Sequence, residues 1–394
     1  MFGEIIFACG LGIFLGIISG IIPGIHVNLL SVIVLSLSPI LLHYFSPLGL
    51  ASFILSIAIT HTFIDVIPTT FLGIPDASQA LLLFPSQKMV LQGKAYEAIF
   101  LILIGGLGSL LFSFLFLPVF FISTEIIYPY LERFVGWILL FVCVFLLFRE
   151  KEKTWACAIF FLSGCLGLLV FAFPLEQGLF PLFSGLFGIS ALLLSFRNTL
   201  SLPVQEKTLP SLDGAYKAIS CASIIGWIAS FMPGLGPAQA ASIGTSIIKL
   251  DEKGYLILIG GLSTVNMLLS LLSFYLFDKT RNGALVIVAE FLQIDFFSFL
   301  ILLFVALSAG GIACFLSLFF SKKFLQIIPQ IPYKSFTLGI IFFISILVIL
   351  LTGWLGFLIL IVSTALGILP EMKGVAKSHM MGCLLLPVIL YFLL

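Results

Sequence analysis

Apolar runs long enough to cross a bilayer follow one another along most of this chain. They fall at about 4–22, 24–42, 48–67, 69–84, 97–121, 134–148, 155–173 and 178–196, and again at 218–232, 234–248, 255–277, 283–301, 299–321, 335–352, 353–370 and 378–394, more than the chain can use as full spans. A run of roughly 20 apolar residues is what a membrane helix needs, and backbone inside a bilayer must satisfy its own polar groups. Composition agrees: of 394 residues, 61% are hydrophobic and 9% charged. An ordinary soluble chain carries roughly 25% charged residues, and a disordered one needs low hydrophobicity. The expected class is therefore all-α, a polytopic protein of the cell membrane. At roughly 20 residues per crossing the apolar content suffices for about 10–12 spans.

Other classes drop out. The 18 Lys+Arg nearly cancel 17 Asp+Glu, so there is no basic footprint for nucleic acid. The seven cysteines sit in or beside apolar runs without a CxxC pair and read as small buried hydrophobes. No metal-ligand spacing, catalytic motif or phosphate-binding loop is present, so no catalytic residue, metal site or ATP drive is expected. Residues 1–148 read as a first transmembrane repeat and 149–214 as connecting helices with a polar linker. Residues 215–394 then form a second repeat with C-terminal helices. The basic stretches 149–153, 197–217 and 322–334 belong on the cytoplasmic side.

Two Pro-Gly dipeptides carry the repeat. Pro23-Gly24 in GIIPGIHVNLL and Pro233-Gly234 in SFMPGLGPAQA each close one apolar run and open another, at a spacing of 210. Proline removes an N–H and glycine admits unusual backbone, so a helix breaks there and a new N-terminus opens. Such an N-terminus offers amides and partial positive charge to an anion. The candidate cradle is Pro23, Gly24, His26 and Asn28 with Pro233, Gly234, Gly236 and Gln239; a plain kink is the alternative. Downstream, polar residues are embedded in apolar spans: His61, Thr62 and Asp65 in one half, Ser263, Thr264 and Asn266 in the other. His61 and Asp65 at i, i+4 share a helix face and form either a coupling pair or a neutralised structural one. Asp76, after Pro75, reads as a pathway residue or a helix N-cap. A polar stretch then follows in each half, GIPDASQA at 73–80 and FDKTRNGA at 277–284. Paired, interrupted segments of this kind point to a transporter's binding site.

GIIPGIH, FLGIPDASQALLLFPSQKMVLQGKAYEAI and FMPGLGPAQAASIG together resemble the large permease of the tripartite tricarboxylate transporters, the TctA-like family, in a divergent, archaeal-type branch. Gly93, Ala95, Glu97 and Ala98 resemble that family's small-residue segment. Ile74-Pro75-Asp76 and Val265-Asn266 depart from its Pro-Gly and paired-Asn elements. The chain is also distantly similar to polyprenyl-phosphate transporters. The resemblance implies a secondary transporter of two related, inverted repeats, driven by an ion gradient, Na+ or H+, with no other cofactor. Its cargo would be a small anionic carboxylate or, alternatively, a lipid phosphate met in the membrane lipid. A small membrane subunit and an extracytoplasmic binding protein are the implied partners. An intramembrane enzyme using Asp65, Asp76 or Asp278 is the rival of another class.

Overall fold

A computed structural model describes residues 2–22, 27–72, 83–175, 178–195, 203–231, 237–280, 282–327 and 333–394. Among them the chain is mainly helical, with no strand. The first half runs α1 (Phe2–Ile21), α2 (Val27–Leu41), α3 (Pro47–Ile64), α4 (Val66–Leu72), α5 (Leu83–Leu91), α6 (Ala95–Leu115), α7 (Leu117–Arg149) and α8 (Lys153–Ala172). Then α9 (Leu179–Phe183) passes through a π-helical turn into α10 (Ser190–Ser195). The second half runs α11 (Ala215–Ala229), α12 (Pro237–Ile247), α13 (Glu252–Phe277), α14 (Gly283–Ala289), α15 (Phe296–Ile327), α16 (Tyr333–Lys373) and α17 (Gly382–Leu393). A short 3-10 turn, Lys377–Met381, joins the last two.

Seven of these helices are long and apolar enough to cross a membrane, taking α3–α4 as one; the two arms of α7, bent by 86°, make an eighth, and three shorter apolar helices accompany them. Local chemistry sets several boundaries. Ser46 accepts from the Gly49 amide at 3.1 Å and Pro47 opens α3. Asp251 caps α13 in the same way, accepting from Gly254 at 2.8 Å. Gly353 has φ 66, so α16 is two helices joined at a break.

Packing fixes the relative sense of the helices. Along α1, Gly12 meets Phe53 and Ser56, Gly16 meets Thr60, and Gly20 meets Ile64, so α1 and α3 run parallel. Ile59 lies against Gly310, Ser317 Oγ donates to the Phe63 carbonyl, and Phe71 stacks on Phe324, so α15 runs the same way. On α6, Leu110 meets Gly310 while Phe114 meets Phe304, so α6 opposes α15. Glu97 pairs with Lys253, Gly105 meets Ile257, and Thr264 bonds Gly106, so α13 runs with α6. Ala222 on Gly261 and Gly226 on Val265 make α11 parallel to α13. Exchanging α1, α3 and α6 for α11, α13 and α15 therefore maps one set of contacts onto the other with every sense reversed. These elements form two inverted repeats. The peripheral helices follow suit: α17 packs on α8, and α9–α10 on the second arm of α16.

One end of the bundle is basic. Lys88 pairs with Glu252, Lys253 with Glu97 and Arg149 with Ser246, and the Gly93 carbonyl accepts from Glu206 at 2.8 Å. These contacts gather the 149–153 stretch and the linker beyond 203 at one face. The reversed sense of α15 brings Lys322 and Lys323 there too. By the positive-inside bias this is the face expected on the cytoplasmic side.

Candidate functional site

The interior of the bundle is built from α3 and α13. In each, 89% of the membrane-length window is buried, against 39% for α1. Where they approach α6 lies a small cleft, lined by Thr62, Phe63 and Val66, by Ile102, Leu103 and Gly106, and by Gly260, Ser263 and Thr264. Its free interior is no larger than about one water molecule. In this arrangement the cleft has no room for a ligand of several heavy atoms.

Glycine makes this junction. A Cβ on Gly105 would lie 2.0 Å from the Ile257 carbonyl oxygen, and one on Gly260 would lie 2.1 Å from that of Ile102. The two backbones touch, as membrane helices do where small residues face each other. Thr264 Oγ1 donates across this crossing to the Gly106 carbonyl at 2.9 Å. Ser263 and Thr62 donate backwards to Ile259 and Ala58 of their own helices. Hydroxyls held this way can rotate and donate to an anion at small cost, since the carbonyl each leaves keeps its helical amide. The lining carries no charged side chain.

Three predicted residues, Thr62, Ser263 and Thr264, thus come together from opposite repeats. His61 is buried beside them, with Nδ1 3.0 Å from Ser19 Oγ of α1. Ser19 in turn donates to the Gly16 carbonyl at 3.2 Å. Asp65, 7% exposed, stands at the turn between α3 and α4, where its Oδ1 accepts from Thr69 at 3.4 Å. Asn266 is half-buried, two residues beyond Thr264. The shift that equates Ser56 with Gly261 also equates His61 with Asn266, so these occupy matching places in the two repeats.

Pro23, Gly24, His26, Asp76, Pro233, Gly234 and Gly236 lie outside the described residues; Asn28 and Gln239 sit in the first turns of α2 and α12, and their side chains also lie outside. The helices that follow them are short. From its start to its end, α2 is 15 residues and α12 is 11. At 1.5 Å per residue they cover about 22 and 16 Å, short of a bilayer core of about 30 Å. One end of α12 is held at the basic face by Arg149, so its other end stops partway across.

The FDKTRNGA stretch, apart from Arg281, which lies outside the described residues, ends one helix and opens the next. Asp278 closes the 26-residue α13 with φ 54, Lys279 lies 5.5 Å over the Tyr128 ring, and Asn282 caps α14. The α6 wall and Ser19 escaped the sequence reading. LILIGG, at 101–106 in α6 and again at 256–261 in α13, was the available signal for the former. Among the described residues no group of three or more His, Cys, Asp and Glu is placed to hold a metal ion.

Comparison with known proteins bears on this arrangement. An uncharacterized protein of Methanocaldococcus jannaschii is similar throughout, 31% identical over 400 residues that cover 97% of this chain and 98% of its own. No solved structure matches. Residues 6–382 match the tripartite tricarboxylate transporter TctA family. With its multi-pass helical bundle, the chain belongs to that family of membrane transporters.

Proposed function

We propose that this chain is the permease that carries a small carboxylate-bearing anion across the membrane, driven by an ion gradient. The cleft between α3, α6 and α13 is its binding region. The observation that carries the reading is the meeting of hydroxyls from two inverted repeats at a closed, interior crossing. Repeats of opposite sense can exchange conformations, and exchange opens such a cleft first to one face and then to the other. Thr62, Ser263 and Thr264 supply hydroxyl donors, and the starts of α2 and α12 supply helix N-termini toward the anion. His61 and Asn266 flank the cleft from matching positions, and His61 with Asp65 forms the coupling region. A small membrane subunit and an extracytoplasmic binding protein complete the system, as the family's tripartite make-up suggests.

The interior placement of α3 and α13 favours a small carboxylate over a polyprenyl phosphate, whose tail needs a site open sideways to lipid. The test is thermal stabilisation of the purified chain by di- and tricarboxylates and by short-chain polyprenyl phosphates. A ligand that binds only the folded state raises its stability with concentration. Stabilisation by a carboxylate, lost in Ser263→Ala and Asn266→Ala, is the expected result. Stabilisation by the lipid phosphate alone overturns the reading.

A further inference from the structure

The linker between the repeats is fastened to the first repeat mainly by one side chain. Gln205 Oε1 accepts from the Ala95 amide at 3.1 Å, and Gln205 Nε2 donates to the Val90 carbonyl at 3.0 Å. Ala95 opens α6, where the first amides have no helical acceptor, and Lys94 before it supplies no side-chain cap. The Val90 carbonyl, in the last turn of α5, also accepts from the Gly93 amide at 3.0 Å. The Glu206 amide then donates to the Gly93 carbonyl at 2.8 Å, at a turn where Gly93 has φ 80. Hydrogen bonds rather than buried apolar side chains hold this segment: Val204 is 83% exposed, and residues 206–209 are all exposed. A second glutamine continues the connection inward. Gln87 Nε2 of α5 donates to the Thr70 carbonyl near the end of α4 at 2.6 Å, and Val66 at the start of α4 lines the cleft. Contacts thus run from the linker through α5 and α4 to the cleft wall.

We propose that residues 203–206 are a releasable strap that gates the cleft at the basic face. Fastened, they hold α5 and, through Gln87, the Val66 wall of α4 in the closed arrangement. Unhooked, they free α5 to swing and open the cleft toward that face. The strap's bonds are few and lie at the surface, where each contributes little net stability, so both states stay within reach. The moving part, α5, has nine residues, and the Lys88–Glu252 pair that joins it to α13 is exposed at both ends and weak. Met89 and Val90 bury its inner side and set the cost of the swing. The backbone of α6 touches α13 at Gly105 and Gly260, so α6 stays with α13. This deepens the transport reading of the cleft, on which it rests, by naming a gate for one side.

Two readouts on the full chain test the strap, and neither uses a carboxylate, so the cargo reading and this one fail separately. In hydrogen exchange on the purified chain, the Ala95 and Glu206 amides exchange at one common rate, faster than the buried interior of α6 and slower than residues 207–212. Gln205→Ala, which removes the side-chain bonds to α5 and α6, raises that rate about tenfold at both positions. In vesicles that present the basic face outward, Ser263→Cys reacts with a charged, membrane-impermeant thiosulfonate above the background of the unaltered chain. Adding Gln205→Ala speeds that labelling by the same factor. Gln87→Ala speeds it too and leaves exchange at Glu206 unchanged, which tests the path through α5 separately from the strap. Exchange at Glu206 that matches the interior of α6, or matches residues 207–212, overturns the proposal, because the linker is then a fixed tie or no tie. So does labelling of Ser263→Cys that is indifferent to Gln205→Ala.

Discussion

Replacing Gly105 by alanine tests the crossing on which the cleft depends. The added methyl would sit 2.0 Å from the Ile257 carbonyl oxygen and 2.7 Å from its carbon, both backbone atoms that no rotamer change can move. The two helices must part by about 1 Å or more to restore ordinary contact. Overpacking of this kind costs about 1–3 kcal/mol. Stretching the bond from Thr264 to Gly106 adds about 1 kcal/mol. Alanine's better helix propensity returns about 1 kcal/mol. The net loss is about 2 kcal/mol, which in a chain this long lowers the melting temperature by about 2 °C. Gly311→Ala is the control, because a Cβ there meets nothing within 4 Å. It gains propensity without a clash and melts at or above the unaltered chain. Melting curves of the two purified variants decide the matter: if Gly105→Ala matches Gly311→Ala, the backbones are not in contact and the account of the cleft fails.

Thr264→Val keeps the shape and removes the donor to Gly106, so it costs about 0.5–1.5 kcal/mol in denaturant titrations; no change would mean that the bond does not form. Lys253→Ala destabilises by about 1–2 kcal/mol, because it strips the partner from Glu97, whose side chain is 6% exposed. Lys88→Ala, in an ion pair exposed at both ends, costs under about 0.5 kcal/mol, and equal losses in the two variants would contradict the buried placement of Glu97. Burial pulls the Lys377 ammonium down to about 8, with Glu371 opposing. Folding thus disfavours its charged form. That cost is complete below about pH 8 and is relieved as pH rises toward the unfolded value of 10.5. The melting temperature therefore climbs across that window relative to Lys377→Met, and parallel curves would refute the burial.

Fold class was legible because solvent chemistry enforces it: no soluble core uses this much apolar sequence. Thr62, Ser263 and Thr264 stood out because hydroxyls inside apolar spans ask for a reason. The third wall of the cleft did not, since Ile102, Leu103 and Gly106 are chemically silent and acquire meaning only from how closely α6 crosses α13. Ser19 was hidden for another reason. It lies 42 residues from His61, and only the parallel packing of α1 on α3 joins them.

The hydroxyls of α3 bear on how the chain is made. Ser317 of α15, which donates to the Phe63 carbonyl, follows 254 residues later. At about 5–20 residues per second of synthesis, α3 waits about 13–50 s in the bilayer before that neighbour exists. An unsatisfied polar group in hydrocarbon over such a time invites misassembly. Ser52, Ser56 and Thr62 donate instead to Leu48, Ser52 and Ala58 of the same helix, at 2.7, 2.7 and 2.9 Å. The helix destined for the centre of the protein thus carries much of its own satisfaction during biogenesis and can wait in lipid for its partners.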